Sequence, residues 1–315
     1  MSQPILVWFD AQGDQPSRPA LQAVQVARQV AAETGRPLVA VAAAQAADVA
    51  ARYVPSVLRI DTELVNQDRH VRALQTAFES QGASMLIMAG TRSAQAILPR
   101  VALRVDGAFL EDVLQLEVSS GGTQAVRLSQ LQRIRETLRT TAERVVVSVK
   151  IGAFEPTEPA AETGTVTPLL IEMEASDERV RVERELAESA NSVSLDEAGV
   201  VIAGGRGLGS AEAFQQLLAP LSHRLGGAIG ATRAAVDAGW RPYEEQIGQT
   251  GKTVAPDVYL ALGVSGAVQH LSGMRRSRLV VAINQDADAP IFKHCDVGIV
   301  GDVHQVVPAL LDALA

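Results

Sequence analysis

Gly263-Val-Ser-Gly-Ala-Val-Gln-His-Leu-Ser-Gly-Met-Arg-Arg-Ser-Arg-Leu-Val-Val-Ala-Ile-Asn284 decides how the rest of this chain is read. The apolar run before it, Val258 to Leu262, reads as a buried parallel strand, and Gly263 and Gly266 let the next turn bring backbone N–H groups close to a ligand. Ser265, Gln269 and His270 add polar side chains. A second apolar run, Leu279 to Ile283, ends on Asn284, so two polar strand ends fall at the carboxyl edge of one sheet, where open α/β sheets take ligands. Just upstream stands a second polar, glycine-bearing stretch, Gln246-Ile-Gly-Gln-Thr-Gly-Lys-Thr253.

Working outward, the same strand-then-turn pattern opens this half of the chain. Gly199 to Ala203 reads as a strand, Gly204-Gly-Arg-Gly-Leu-Gly-Ser210 as a loop, and Ala211 to Arg224 as an amphipathic helix. A Gly-x-Gly-x-x-Gly fingerprint nearly fits from Gly205, but its last position is Ser210 and no acidic residue stands some twenty positions on, which disfavours a standard NAD fold. Arg206 within the loop suits a pyrophosphate, its planar fork matching phosphate oxygens; a structural turn with a solvated arginine is the plainer alternative. Gly227 to Gly230 is a further short strand, and Arg233 after it opens a small-residue helix in which it can pair with Asp237 four positions along. Gly251-Lys252-Thr253 invites a P-loop reading that fails on spacing, because Gln246 stands where the first glycine is needed and Pro256 discourages the helix. Val297 to Val300 reads as the last strand, with Asp302 after its end.

The first 190 residues alternate apolar runs with amphipathic helices: strands Ile5 to Phe9, Leu38 to Ala42, Ser56 to Ile60 and Ser84 to Ala89; helices Pro19 to Glu33, Ala44 to Arg52, Arg69 to Ser80 and Ser93 to Val105. That alternation predicts a mostly parallel sheet covered on both faces. Gln115 to Val118, Ala125 to Leu128 and Arg144 to Val149 then read as strands added without full helical crossovers, Glu155 to Thr165 as a loop, and Val166 to Met173 as a strand. The charged run Ser176 to Glu188 reads as a solvated strand or helix leading to a domain break placed near residue 190. Thr91-Arg92-Ser93 is explained by helix capping, and His70 stands alone.

Composition agrees with two globular α/β domains, 1–190 and 191–315, each a mostly parallel sheet flanked by helices. The chain has 315 residues, 47% of them hydrophobic, enough for a core in each domain. Of its 25 glycines, 16 lie after residue 190, so close backbone contacts concentrate in the shorter C-terminal part, where a cofactor is expected. A net charge of -8 and no dense Lys/Arg cluster argue against a nucleic-acid partner; Arg275, Arg276 and Arg278 read as a solvated loop face. One cysteine, Cys295, excludes an internal disulfide, and His223, His294 and His304 lack metal-ligand spacing, so no metal is expected. No basic n-region or long apolar span begins the chain, which points to a cytoplasmic protein or one of an organelle matrix.

The two quoted stretches resemble the alpha subunit of electron transfer flavoproteins, whose hallmark is a Val-Ser-Gly-Ala-(Val/Ile)-Gln-His turn preceded by Gly-Gln-Thr-Gly-Lys; the resemblance is dense from about Val200 to Pro308. It implies FAD in the C-terminal domain. The matching cofactor positions are Arg206, Thr232, Arg233, Ile247, Gly248, Gln249, Thr250, Ser265, Gly266, Ala267, Val268, Gln269, His270, Asn284, Asp302 and Val303. In the family Thr232 and Arg233 match the pair against the flavin ring, Thr250 the contact near N5, His270 the histidine near the C2 carbonyl, and Asn284 and Asp302 the adenosine contacts. The resemblance further implies a heterodimer with a beta subunit carrying AMP, flavoprotein dehydrogenases as electron donors, and a quinone oxidoreductase or other acceptor. No catalytic residue is expected in a carrier, and no nucleophile–base set or paired carboxylates stand out. A flavin-dependent reductase or dehydrogenase and a non-redox nucleotide-binding regulatory module remain the alternatives, the first needing an acid or base beside N5 and a substrate pocket, the second only an adenine nucleotide.

Overall fold

The computed structural model describes residues 3–130, 133–183, 195 and 198–314. The chain divides into two compact units, Met1–Leu186 and Ala187–Ala315. The break expected near residue 190 lies outside the described residues.

In the first unit, β1 (Ile5–Phe9) leads into a small hairpin of β2 (Ala11–Gln12) and β3 (Gln15–Pro16), then α1 (Arg18–Thr34), β4 (Leu38–Ala43), α2 (Ala44–Ala51), β5 (Ser56–Ile60), α3 (Gln67–Ser80), β6 (Met85–Ala89) and α4 (Arg92–Arg104). Next come β7 (Ala108–Ser119), β8 (Gly122–Ser129), β9 (Ile134–Thr140), β10 (Val145–Val149) and β11 (Thr165–Leu169). Among the described residues these form a nine-stranded sheet in the order β11-β5-β4-β1-β6-β10-β7-β8-β9. The strands from β11 to β7 run parallel, and β8 and β9 add on antiparallel. Burial on both faces explains the unbroken apolar runs: Ile5, Val7 and Phe9 enter one core while Leu6 and Trp8 enter the other. Helix ends obey local chemistry. Ser17, Asn66 and Thr91 each accept a hydrogen bond from the backbone N–H three residues on, and α1 stops at Gly35 with φ 66°. Thr91 therefore caps α4.

Three expectations for this unit need correction. The strand anticipated from Gln115 begins at Ala108, and its first half is interrupted by a bulge in which Asp112 takes φ 57°. β9 has no counterpart in the sequence reading, because its alternation of arginine, glutamate and threonine looks like a solvated loop. The strand expected from Val166 to Met173 ends at Leu169. Of the charged run, residues 176–183 form turns and irregular chain, and the rest lies outside the described residues. Fully buried Asp177 holds that segment to α3 through Arg72, 2.9 Å away.

The second unit comprises β12 (Val200–Gly204), α5 (Ala211–Ala213), a π-helical turn (Phe214–Leu218), α6 (Ala219–Leu225), β13 (Ala228–Ala231), α7 (Arg233–Asp237), β14 (Val258–Leu262), α8 (Val268–Met274), β15 (Leu279–Asn284), β16 (Val297–Val300) and α9 (Val303–Ala313). Its five strands are all parallel, in the order β13-β12-β14-β15-β16. Val201, Ala203, Tyr259 and Ala261 face one core; Ile202, Leu260 and Leu262 face the other with Phe214, Leu218 and Leu221. The single helix expected over Ala211 to Arg224 is instead broken by the π turn, in which the Ala219 N–H reaches back five residues to Phe214 O. Pro220 accounts for it: proline has no N–H for the carbonyl four residues earlier, so the ladder shifts register ahead of it. Among the described residues no helix is long and apolar enough to cross a membrane.

Candidate functional site

The chain leaves β12 for β13 on one side of it and returns to β14 on the other, so the order of travel reverses between β12 and β14. A crevice is expected at the carboxyl ends of those two strands. A cavity of about 680 Å³ opens there, within the usual range for a small-molecule site.

Its walls are the loops that end the strands. From β12 comes Arg206 with Gly207; from β13 come Thr232 and Arg233; from β14 come Gly263 to Ser265 and Ala267; from β15 come Asn284 and Asp286. Gln246 to Thr250, Gln269 and His270, with Ala234, Asp237, Ala289 and Pro290, complete the lining. The two stretches that stood out in the sequence are thus opposed across one space. They are also tied directly, since Gln249 N–H donates to Gln269 O at 2.8 Å.

Of the positions singled out from the sequence, Arg206, Thr232, Arg233, Ile247, Gly248, Gln249, Thr250, Ser265, Ala267, Gln269, His270 and Asn284 line the cavity. Gly266, Val268, Asp302 and Val303 do not. Gly266 has φ 84° and packs against the 290s, where an added Cβ would sit 2.3 Å from Ile291 N. Val268 opens α8. Asp302 caps α9 by accepting from His304 N–H at 2.9 Å, an interaction that holds its carboxyl below the usual range. Val303 is buried in the core. Gln246, Val264, Asp286, Ala289 and Pro290 line the cavity without having been singled out, because only the fold brings them there.

The glycines do a different job from the one expected of them. Gly205 N–H donates to Leu262 O at 2.9 Å and Gly207 N–H to Gly263 O at 3.0 Å, while Gly248 N–H is taken by Lys252 O and Gly251 N–H by Gly248 O. The first two bonds join loop to loop, the last two close one loop on itself, and none of these groups is free for a ligand. In the first turn of α8 the N–H groups of His270 and Leu271 both turn back to Ala267 O, at 2.9 and 3.0 Å. Asn284 is engaged at both amide atoms: Nδ2 donates to Val264 O at 2.9 Å, and Oδ1 accepts from Asp286 N–H at 3.0 Å.

Two features fit an absent polar ligand. Thr232 is 9% exposed, and its hydroxyl is buried with no hydrogen-bond partner, an arrangement that costs free energy unless a ligand supplies one. Arg206 is exposed and its guanidinium makes no ion pair or hydrogen bond among the described residues, as a phosphate-binding guanidinium would before its anion arrives. Arg233 pairs with Asp237 at 3.3 Å, both well exposed, so this guanidinium is held at the cavity wall by a solvated ion pair. Thr250 Oγ1 accepts from Gln246 Nε2 at 2.9 Å. The cavity wall therefore offers hydroxyls and an exposed guanidinium around a mostly small-residue surface, which suits a flat ring bearing phosphates.

His270 differs from expectation. The ring is 5% exposed, with Nδ1 3.0 Å from Ile247 O and Nε2 2.8 Å from the Tyr259 hydroxyl. Both nitrogens are engaged inside the protein, so neither is free for a flavin carbonyl. Burial lowers its pKa to about 4, keeping it neutral at physiological pH.

Among the described residues no group of three or more His, Cys, Asp or Glu is placed to hold a metal. His223, His294 and His304 are scattered and exposed, and Cys295 is half-buried, its thiol pushed up by burial.

Residues 6–178 match the family model of the electron transfer flavoprotein domain, and residues 194–275 that of the electron transfer flavoprotein FAD-binding domain. The chain is 39% identical over 244 residues to the electron transfer flavoprotein subunit alpha of Mycobacterium leprae (strain TN), covering 78% of this chain and 75% of that one. It is 35% identical over 246 residues to the subunit alpha of Bacillus subtilis (strain 168), covering 78% and 75%. With the mitochondrial subunit alpha of Arabidopsis thaliana it shares 40% identity over 242 residues, 74% of this chain and 66% of that one.

Proposed function

The chain belongs to the electron transfer flavoprotein alpha-subunit family and carries its FAD-binding domain, and from that premise we propose that it is an electron carrier working as one half of a heterodimer. Its partner is a beta subunit with a bound AMP. Electrons enter from acyl-CoA or related dehydrogenases and leave to a quinone oxidoreductase or another acceptor.

The observation that carries this reading is the cavity at the β12/β14 switch point, with the unpaired Thr232 hydroxyl inside it. FAD supplies the redox chemistry when bound. Arg206 would hold a phosphate oxygen, and Thr232 and Thr250 would offer hydroxyls. Arg233 would favour added negative charge at the wall where it sits, a purely electrostatic adjustment of potential. Ile247, Gly248 and Ala267 would shape the surface and exclude water. Gly266, Val268, Asp302 and Val303 would support those loops from behind.

A carrier reading also fits the chemistry of the lining. Its charged members are Arg206, Arg233, Asp237 and Asp286, and its histidine has both nitrogens occupied, so the wall holds no free imidazole for general acid–base work on a substrate.

Co-expression with a neighbouring beta-type gene, then extraction and chromatography, tests the proposal. A one-to-one complex that contains FAD and is reduced by a dehydrogenase is expected. Recovery of FMN or AMP alone from this chain, or steady turnover of a small substrate by it, would overturn the reading.

A further inference from the structure

We propose that Tyr259 is a positioning residue for His270: its hydroxyl donates to Nε2 while the Ile247 carbonyl takes the Nδ1 proton, so the imidazole is held as one neutral tautomer with no ring proton to exchange into the cavity.

The assignment rests on what each partner can do. A backbone carbonyl only accepts, so the ring nitrogen 3.0 Å from Ile247 O, Nδ1, carries hydrogen. Tyr259 is 0% exposed, and burial pushes its phenol well above its usual range, so the hydroxyl keeps its proton. Among the described residues that proton has one hydrogen-bond partner, His270 Nε2 at 2.8 Å. Leaving it unmade would cost about 1–3 kcal/mol, so the hydroxyl donates and Nε2 accepts. The opposite tautomer would set the Nδ1 lone pair against the lone pairs of Ile247 O. An imidazolium would place a charge in a buried site and turn the Tyr259 proton toward nothing.

Both partners are fixed by the sheet. Tyr259 sits within β14, in register with Val201 on one side and Val280 on the other. Ile247 is tied to the end of β13, its N–H donating to Ala231 O at 2.9 Å. The charged groups of the surrounding wall are Arg206, Arg233, Asp237 and Asp286, and none of them is hydrogen-bonded to the imidazole. Resting on the reading of this cavity as the FAD site, the consequence is that His270 contributes shape and a fixed dipole beside the cofactor and cannot hand it a proton. Electron entry at this wall is then uncoupled from proton transfer by histidine.

The full-length chain, labelled with 15N-histidine and purified with whatever cofactor it retains, tests this by two-bond 1H–15N correlation spectra. The chain has 5 histidines, and the His270 signals are identified by their loss in His270→Gln. The expected pattern is Nδ1–H with an unprotonated, hydrogen-bonded Nε2, unchanged from about pH 8 to about pH 5.5. Tyr259→Phe keeps the ring and removes the donor to the neutral form, so the His270 titration midpoint should rise by about one pH unit or more. An Nε2–H pattern in the wild type, or an unmoved midpoint in a folded Tyr259→Phe, overturns the proposal. Should Tyr259→Phe fail to fold, the wild-type tautomer decides alone. FAD content of the same samples reports on the cofactor reading separately, because the tautomer is read from the imidazole itself.

Discussion

Gly205 and Gly263 meet backbone to backbone: a Cβ built on Gly205 would lie 2.2 Å from Gly263 O. No rotamer relieves such an overlap, since the obstructing atom is main chain. Gly205→Ala is expected to force the β12 and β14 loops apart and destabilise the second unit by about 2–4 kcal/mol. Gly209 is the control, with φ 84° and nothing within 4 Å of an added Cβ, so Gly209→Ala should cost only about 1 kcal/mol of backbone strain. Urea midpoints of the two variants distinguish the effects, and equal losses would mean that loop contact is not what the glycine serves.

Thr232 tests whether the cavity has a ligand at all. Its unpaired hydroxyl is a liability in the free chain. Thr232→Val preserves shape and should leave the cofactor-free protein as stable as wild type, or more stable by about 1 kcal/mol, while weakening FAD roughly fivefold, the value of one hydrogen bond of about 1 kcal/mol. Flavin fluorescence titration alongside denaturation reads both. Unchanged affinity would assign the hydroxyl no part in the site.

Arg233 should act on potential more than on affinity. A unit charge 4 Å away is worth ~4 kcal/mol at an effective dielectric near 20. The Arg233 side chain is 70% exposed and paired with Asp237, so most of that is screened. With ~59 mV per tenfold for one electron, Arg233→Ala should lower the first reduction potential by about 40–90 mV, and Asp237→Asn should raise it by less. Spectroelectrochemistry measures both shifts. Shifts of the same sign would show that the pair is too far from the flavin to tune it.

Acid should weaken the fold through two histidines. His70 packs tilted against Trp8 with ring centroids 4.3 Å apart, its Nε2 buried without a partner, and burial lowers its pKa to about 4, as it does for His270. Because the folded pKa lies below the unfolded value near 6.5, neither ring binds a proton in either state above that pH, and the stability there is complete. As pH falls from about 6.5 to about 4 the unfolded chain takes up protons first, and each histidine removes at most about 3 kcal/mol. His70→Phe should flatten the dependence of the first unit over that window. Denaturation curves from pH 4 to 8 would show it, and an unaltered slope would place the proton uptake elsewhere.

Much of this was legible from the sequence, for reasons that particular residues make plain. Ile5–Phe9, Met85–Ala89 and Val258–Leu262 are buried on both faces, and a continuous apolar run is what such a strand requires. Ile134–Thr140 is a sheet-edge strand with a polar alternation, and its pairing with β8 has no local signal. The Gln249 and Gln269 motifs could be recognised separately, and it is the fold that brings them to one cavity. That the glycine N–H groups serve neighbouring loops, and that His270 is satisfied by a residue eleven positions earlier and a carbonyl from another loop, depends on tertiary contacts that spacing does not encode. The π turn was foreshadowed by Pro220 alone.

That turn amounts to a spare residue stored inside a helix. Over Phe214–Leu218 the chain advances one position more than an α-helix would need, so the helical segments on its two sides keep independent rotational phase. Removing one residue there should relax the ladder to i→i+4 bonding and leave Leu221 in the core it enters with Leu218, while the glycine loop ahead of it stays put. Length variation among related chains has, at this point of the fold, somewhere to be absorbed without touching the cavity.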